Sequence, residues 1–197
     1  MNIIPLLYFH SHKFYDSLHG KQIRLSELLQ KLEPDSEIYL YDHDGIVHYK
    51  PNLCTYPKLP DFTLWADSGP RHLGDVVDMV LTGVSNIVLR KDQWPERDIA
   101  KIEEITECFL YDYLSADDPQ QLRAAVSPLI NGLVIQSQKD NPHARFTQDT
   151  IGKHFCETNN VTILESNKQH ISHWKSLGVT TLCLDYTEWK ELNSNEF

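Results

Sequence analysis

Residues 62–91, FTLWADSGPRHLGDVVDMVLTGVSNIVLRK, contain a complete strand–helix–strand unit. The apolar run 62–67 is followed by a segment with helical spacing at 73–81 and then by a second apolar run at 86–91. Gly83 comes just after the helix, where glycine commonly ends a helix in a left-handed conformation. Two nearly continuous apolar strands joined by a helix are typical of a parallel sheet covered by helices.

The same alternation of strand and helix runs along the whole chain. Strands are predicted at residues 3–9, 37–42, 62–67, 86–91, 107–112, 132–137, 161–166 and 180–185. Helices are predicted at residues 25–32, 73–81, 95–106, 119–129, 148–158, 168–177 and 187–192. Eight such units favour a compact, single-domain (β/α)₈ TIM barrel over an open doubly wound sheet. The predicted barrel covers residues 1–192, and residues 193–197 are expected to be a frayed tail.

The composition excludes several classes of protein. The chain has 18 Lys+Arg against 28 Asp+Glu, a net charge of −10, whereas nucleic-acid binding needs clustered basic residues. The apolar run at 3–9 is far shorter than the roughly 20 residues that span a bilayer, and no basic segment precedes it. We therefore expect a cytoplasmic protein with no nucleic-acid or membrane partner. The four cysteines are scattered without a Cys-x-x-Cys pair and are expected to be reduced.

Charged and polar residues end most of the predicted strands: Asp42, Asp67, Arg90, Lys91, Asp112, Gln136, Glu165 and Asp185. The carboxyl ends of parallel strands meet at the edge where active sites form, so five carboxylates are expected to face one mouth. Crowded carboxylates raise one another's pKa, which makes Asp67, Asp112 and Asp185 candidates for proton transfer. A structural alternative is that each aspartate caps the helix or turn that follows it.

Basic residues are available to bind an anionic group of a ligand beside these acids. Arg71, Arg90 and Lys91 are predicted to contact substrate, together with Gln136, Glu165 and Asp185. The alternative is that the three cations neutralise the acids in a structural network.

Several stretches resemble one family of barrels: residues 3–7, 42–46, 65–71 and 86–89. They are similar to the histidine-biosynthesis barrels of the HisA/HisF family, and most of all to the HisA-like paralogues of methanogens and methylotrophs. In the isomerase of that family, one aspartate on the first strand and one on the fifth share the acid–base work. The matching positions here are Tyr8 and Asp112, so half of the catalytic pair is missing.

The resemblance also implies phosphate-binding turns, but Asp67, Glu165 and Asp185 stand where those turns would be glycine-rich. A carboxylate beside a phosphate is repelled by about 1 to 4 kcal/mol at about 4 Å. The resemblance therefore implies a barrel that is not a true phosphoribosyl isomerase. It would convert a small metabolite by isomerase- or lyase-like chemistry through Asp112 with Asp42 and Asp67, without a cofactor or metal, in one-carbon, methanopterin-type cofactor metabolism.

Two other functions are compatible with the sequence. His10 and His12 follow the first strand and would face the same side of an extended chain, as in a metal-dependent hydrolase. The chain also fits a non-catalytic barrel that binds a protein partner or a second copy of itself. A mouth without a cavity of a few hundred Å³ would argue against catalysis.

Overall fold

The computed structural model describes residues 1–115, 127–137, 155–156 and 159–194. Its strands are β1 (Asn2–His10), β2 (Lys13–Tyr15), β3 (Gln22–Ile23), β4 (Glu37–Asp42), β5 (Thr63–Asp67), β6 (Asn86–Arg90), β7 (Phe109–Ser115), β8 (Gly132–Gln136), β9 (Val161–Glu165) and β10 (Thr181–Asp185). All except β2 and β3 are parallel to their neighbours, and β1 pairs with both β4 and β10. The sheet therefore closes into an eight-stranded barrel, and the predicted fold class is confirmed.

The helices lie between the strands, as the sequence predicts. They are α1 (Leu25–Lys31), α2 (His43–His48), α3 (Leu73–Leu81), α4 (Ile99–Ile105), α5 (Ile171–Ser176) and α6 (Tyr186–Ser194), with 3₁₀ turns at Leu53–Lys58 and Lys168–His170. The predicted helices at 119–129 and 148–158 fall largely outside the described residues. Helix α6 continues through Asn193 and Ser194, the first residues of the segment expected to be a frayed tail, and residues 195–197 lie outside the described part.

Two elements near the carboxyl end of β1 were not predicted from the sequence. The hairpin β2–β3 pairs antiparallel with the last residues of β1, with Tyr8 opposite Tyr15. Its strands have only three and two residues, too few for a periodic pattern. Helix α2 has six residues and starts directly after β4. Both elements lie at the carboxyl ends of the barrel strands.

Side chains of the barrel strands alternate between two apolar layers. One cluster fills the barrel interior and includes Leu6, Tyr39, Trp65, Val88 and Cys183. The intervening residues, such as Leu7, Leu40 and Leu64, pack outward against helices. This alternation continues to the strand ends and decides which polar residues face the mouth.

The described helices are too short and too polar to cross a lipid bilayer. The four cysteines are free, and Cys183 is buried in the barrel interior.

Candidate active site

Seven neighbouring strands each contribute one inward-facing polar residue near their carboxyl ends. In order round the barrel from β10 to β8, these residues are Asp185, Tyr8, Tyr41, Asp67, Arg90, Tyr113 and Gln136. We call this set the mouth ring. Most of its members touch the next member of the set, so it forms a nearly continuous polar layer above the apolar interior.

The mouth ring is centred on a buried ion pair between Arg90 and Asp67. Arg90 Nε donates to Asp67 Oδ1 at 2.7 Å and Nη2 donates to Oδ2 at 2.6 Å. The two residues are only 5% and 0% exposed, respectively. Tyr39 adds a hydrogen bond from its hydroxyl to Asp67 Oδ2 at 2.9 Å. A two-pronged pair with this geometry offsets part of the cost of burying both charges.

Aromatic rings enclose the guanidinium of Arg90. Its central carbon lies 3.6 Å from the centroid of the Tyr113 ring and 5.4 Å from that of Tyr41. Such cation–π contacts favour the charged arginine, most strongly where water is excluded. Burial alone would lower the pKa of Arg90, but the Asp67 carboxylate outweighs it and raises that pKa well above its ordinary value.

The outer parts of the mouth ring continue the chain of contacts. Tyr8 donates from its hydroxyl to Asp185 Oδ1 at 3.1 Å, and its ring lies 5.3 Å from that of Tyr41. On the opposite side Tyr113 donates to Gln136 Oε1 at 2.9 Å. Tyr8 and Asp185 are 4% and 6% exposed, whereas Tyr41, Tyr113 and Gln136 are half-buried and accessible from above.

The tyrosines of the mouth ring are held in their neutral form. Burial raises the pKa of Tyr8, and the neighbouring Asp185 carboxylate raises it further. Burial also raises the pKa of Tyr41 to about 12 and raises that of Tyr113, although Arg90 opposes both shifts. Neutral phenols donate hydrogen bonds at physiological pH, as Tyr8 does to Asp185 and Tyr113 does to Gln136.

The expectation that five carboxylates converge on the mouth is wrong for Asp42, Asp112 and Glu165. Each directly follows or precedes an inward-facing residue and therefore points to the outer, helical layer. Asp42 accepts hydrogen bonds from the Gly45 and Asn52 backbones and from the Asn52 amide. It caps α2, which is the structural alternative considered from the sequence.

Asp112 and Glu165 also have partners outside the barrel interior. Arg97 donates to Asp112 Oδ1 at 2.5 Å, and burial raises the pKa of Asp112 although Arg97 opposes the shift. Glu165 accepts from the Trp174 indole at 2.9 Å and lies 3.1 Å from His170 Nδ1. Asp67 and Asp185 are the two predicted acids that face inward.

The remaining predicted substrate contacts are spread over the rim. Arg71 donates to the Ile46 carbonyl at 3.3 Å, and its guanidinium lies over the Tyr49 ring at 4.5 Å. Lys91 is exposed. Neither belongs to the mouth ring, which contains Arg90 as its cation.

A second polar cluster lies at the rim above β1 and β4. Ligand atoms of His43, Asp44 and His48 all lie within 4.8 Å of one another. His10, at the end of β1, has its ring 6.2 Å from that of His43 and stacks on Tyr15 at 4.1 Å. The sequence gives no periodic signal for α2, so it does not predict that His43 and His48 lie on one short helix.

The sequence analysis placed His10 and His12 on the same side because it assumed that the chain is extended between them. The structure contradicts that premise, since Ser11 and His12 have left-handed φ values of 50° and 61°. His12 is exposed in the turn between β1 and β2. The histidine whose ring lies near that of His10 is His43 of α2.

Two cavities are found away from the mouth ring. One of about 690 Å³ lies between the β2–β3 hairpin and α6 and is lined by Asp16, Ile23, Tyr186 and Lys190 among others. The other, of about 860 Å³, lies on the outside near α4 and is lined in part by Val80 and Phe109. Neither cavity is lined by a residue of the mouth ring.

Comparisons with known proteins agree with the closed barrel. The structure is similar to 3-hexulose-6-phosphate synthase from Salmonella typhimurium, with a TM-score of 0.60 over 100% of both chains and 10% identity. It is also similar to dihydrodipicolinate synthase, with a TM-score of 0.55, 10% identity and coverage of 92% of this chain and 69% of that one. The chain has the fold of TIM-barrel enzymes. No protein family and no curated protein matches the sequence, and identities this low show the fold alone.

Proposed function

We propose that the protein is an enzyme that transfers protons on a small metabolite with hydroxyl or carbonyl groups. The observation that carries the proposal is the mouth ring, in which Tyr41 lies between the Tyr8–Asp185 pair and the Arg90–Asp67 pair. TIM-barrel enzymes act at this end of the barrel, and buried ionisable groups with shifted pKa values are typical of functional sites. The two solved structures compared above are named synthases, which supports an enzymatic role.

Each part of the mouth ring has a proposed role. Asp185 accepts a proton from the substrate. The hydroxyl of Tyr8, which donates to Asp185 in the structure, turns to the substrate oxygen where charge develops once Asp185 is protonated. Tyr41, Tyr113 and Gln136 bind the substrate hydroxyls, while Arg90 and Asp67 keep the tyrosines in place. The mouth ring contains two carboxylates, of Asp67 and Asp185, and one guanidinium, of Arg90. Its net charge is therefore negative, which favours the binding of a neutral or cationic metabolite over that of a bisphosphate.

Proton exchange with solvent tests this proposal without knowledge of the full reaction. Hydroxyaldehydes, hydroxyketones and their amino derivatives are incubated with the protein in D₂O, and deuterium incorporation beside the carbonyl is followed by NMR. We expect exchange with at least one compound, lowered in Asp185→Asn by a factor on the order of 10² to 10⁴. Exchange that is unchanged in Asp185→Asn but lost in Asp112→Asn would return the catalytic role to Asp112.

We also propose that this barrel shares its origin with the HisA family, because the motifs at residues 42–46 and 65–71 resemble that family. A role in one-carbon metabolism rests on that resemblance alone. A barrel that only binds a protein partner is the competing proposal. It predicts that none of these compounds undergoes exchange or raises the melting temperature.

A further inference from the structure

We propose that His43, Asp44 and His48 bind a divalent transition-metal ion, with Zn²⁺ as the best match. Two imidazoles and one carboxylate form a donor set that Zn²⁺ commonly uses where a further position is kept open. The ligand atoms lie within 4.8 Å of one another. A tetrahedral ion with ligands about 2.1 Å away holds them about 3.4 Å apart, so small side-chain rotations close the site.

The local fold explains why these three side chains meet. Helix α2 begins directly after β4, and Asp44 and His48 are four residues apart, on one face of that helix. His43 is its first residue, and its ring centroid lies 5.9 Å from that of His48. His43 and Asp44 are half-buried and His48 is exposed, so ions in the solvent can reach the cluster.

The carboxylate of Asp44 is already oriented by other groups. Its Oδ2 atom accepts from the Ser11 backbone at 2.6 Å and from the Asn52 amide at 3.1 Å. Asn52 is itself 3% exposed and is bonded to Asp42. Hydrogen bonds of this kind fix the direction of metal ligands and contribute strongly to affinity.

The backbone around the cluster has unusual conformations. Among the described residues, the non-glycine residues with positive φ are Ser11, His12, Asp35 and Tyr49. Three of them flank the cluster: Ser11 and His12 are in the turn that contacts Asp44, and Tyr49 ends α2 directly after His48. Left-handed conformations cost energy in residues with side chains and are concentrated at functional sites.

The site lies at the rim of the mouth. His10 is two residues beyond Tyr8 on the same strand face, roughly 7 Å higher along β1, and its ring lies beside that of His43. An ion held by α2 would therefore stand near the entrance, where its open positions bind an oxygen of a ligand. The sequence analysis predicts no metal site at these three residues, because it does not predict helix α2, which brings them together.

The test is metal binding to the untagged full chain after treatment with a chelator. Titration with ZnCl₂ by calorimetry and with CoCl₂ by visible absorption is expected to give one ion per chain. The exposed His48→Ala variant and the double variant His43→Ala/His48→Ala are expected to lose affinity, the latter by more than about 100-fold. His19→Ala, which removes an exposed histidine outside the cluster, is the matched control and is expected to bind normally.

Two results would overturn the site: absence of Zn²⁺ and Co²⁺ binding by the wild type, or unchanged affinity in folded His48→Ala and double variants. Circular dichroism of each variant confirms that it is folded. Metal binding is independent of the proton-transfer proposal, since Asp185→Asn leaves the three ligands in place. A negative result in one experiment therefore leaves the other proposal standing.

Discussion

Arg90 and Asp67 illustrate how single residues stabilise the mouth of this barrel. Both charges are removed from water, and the fold compensates with two short hydrogen bonds, a tyrosine hydroxyl and two aromatic rings. Removing one partner from such a pair leaves the other charge buried without compensation. The pair therefore contributes to the stability of the fold as long as both partners are present.

Replacement of one partner measures how much the ion pair between Arg90 and Asp67 contributes to the free energy of unfolding. Asp67→Ala is expected to lower the free energy of unfolding by about 3 to 5 kcal/mol, because the Arg90 guanidinium then remains buried and unpaired. Urea denaturation measures the change. Lys101→Ala, which breaks an exposed pair with Asp98, is the control and is expected to cost less than about 1 kcal/mol. A loss for Asp67→Ala as small as that of the control would show that water reaches Arg90.

Helix α2 shows how a short element depends on its surroundings. Asp42 caps its first turn, and the helix packs so closely on the turn after β5 that a Cβ atom on Gly45 would lie 2.4 Å from the Ser68 carbonyl oxygen. A six-residue helix is not stable by itself. Its position, and with it the cluster of His43, Asp44 and His48, is set by these tertiary contacts.

Two glycine-to-alanine variants separate packing from helix propensity. Gly45→Ala is expected to lower the free energy of unfolding by about 1 to 3 kcal/mol, since backbone has to move to admit the methyl group. Gly74→Ala in α3 meets only the exposed ring of His72, which can shift, so it is expected to be neutral or stabilising. Thermal unfolding of both variants measures the difference. Equal effects would mean that α2 does not pack tightly on the Ser68 turn.

The strand ends show what could be predicted at the level of elements. The sequence analysis placed Asp42 and Asp67 correctly at the ends of strands, but Asp112 lies in the middle of β7. It also did not give the direction of the three side chains. The direction could have been inferred, because large aromatic residues recur at every second position: Tyr39 and Tyr41 in β4, Trp65 two residues before Asp67 in β5, and Tyr111 and Tyr113 in β7. These aromatic side chains fill the barrel interior. Asp67, two residues after Trp65, therefore faces inward, whereas Asp42 and Asp112, which are adjacent to Tyr41 and Tyr113, face outward.

Closure of the barrel buries the phenol groups of several tyrosines. Pairing of β1 with β10 encloses an interior where burial raises the pKa of Tyr39 and Tyr111, as it does for the tyrosines of the mouth ring. Tyr56, in the outer layer, is shifted in the same direction, also mainly by burial. Neutral tyrosine is therefore a condition of the folded state.

Alkaline pH is expected to destabilise the protein. The folded-state pKa of these tyrosines lies above the unfolded value of about 10, so their contribution is complete below that pH and is lost as pH rises towards and past 12. The free energy of unfolding, measured between pH 8 and 12, should fall steeply. Tyr41→Phe should make the fall shallower, and a slope unaffected by this variant would mean that Tyr41 ionises freely in the folded state.

The periodicity of apolar residues by itself determined the strand–helix alternation, and with it the barrel, because eight repeated units bury their apolar faces in few other ways. Only the tertiary structure decided which acids face the mouth, which tyrosines enclose Arg90 and which histidines meet across β1 and β4. Those contacts join residues far apart in the chain, and the closure of the sheet and the packing of short turns bring them together.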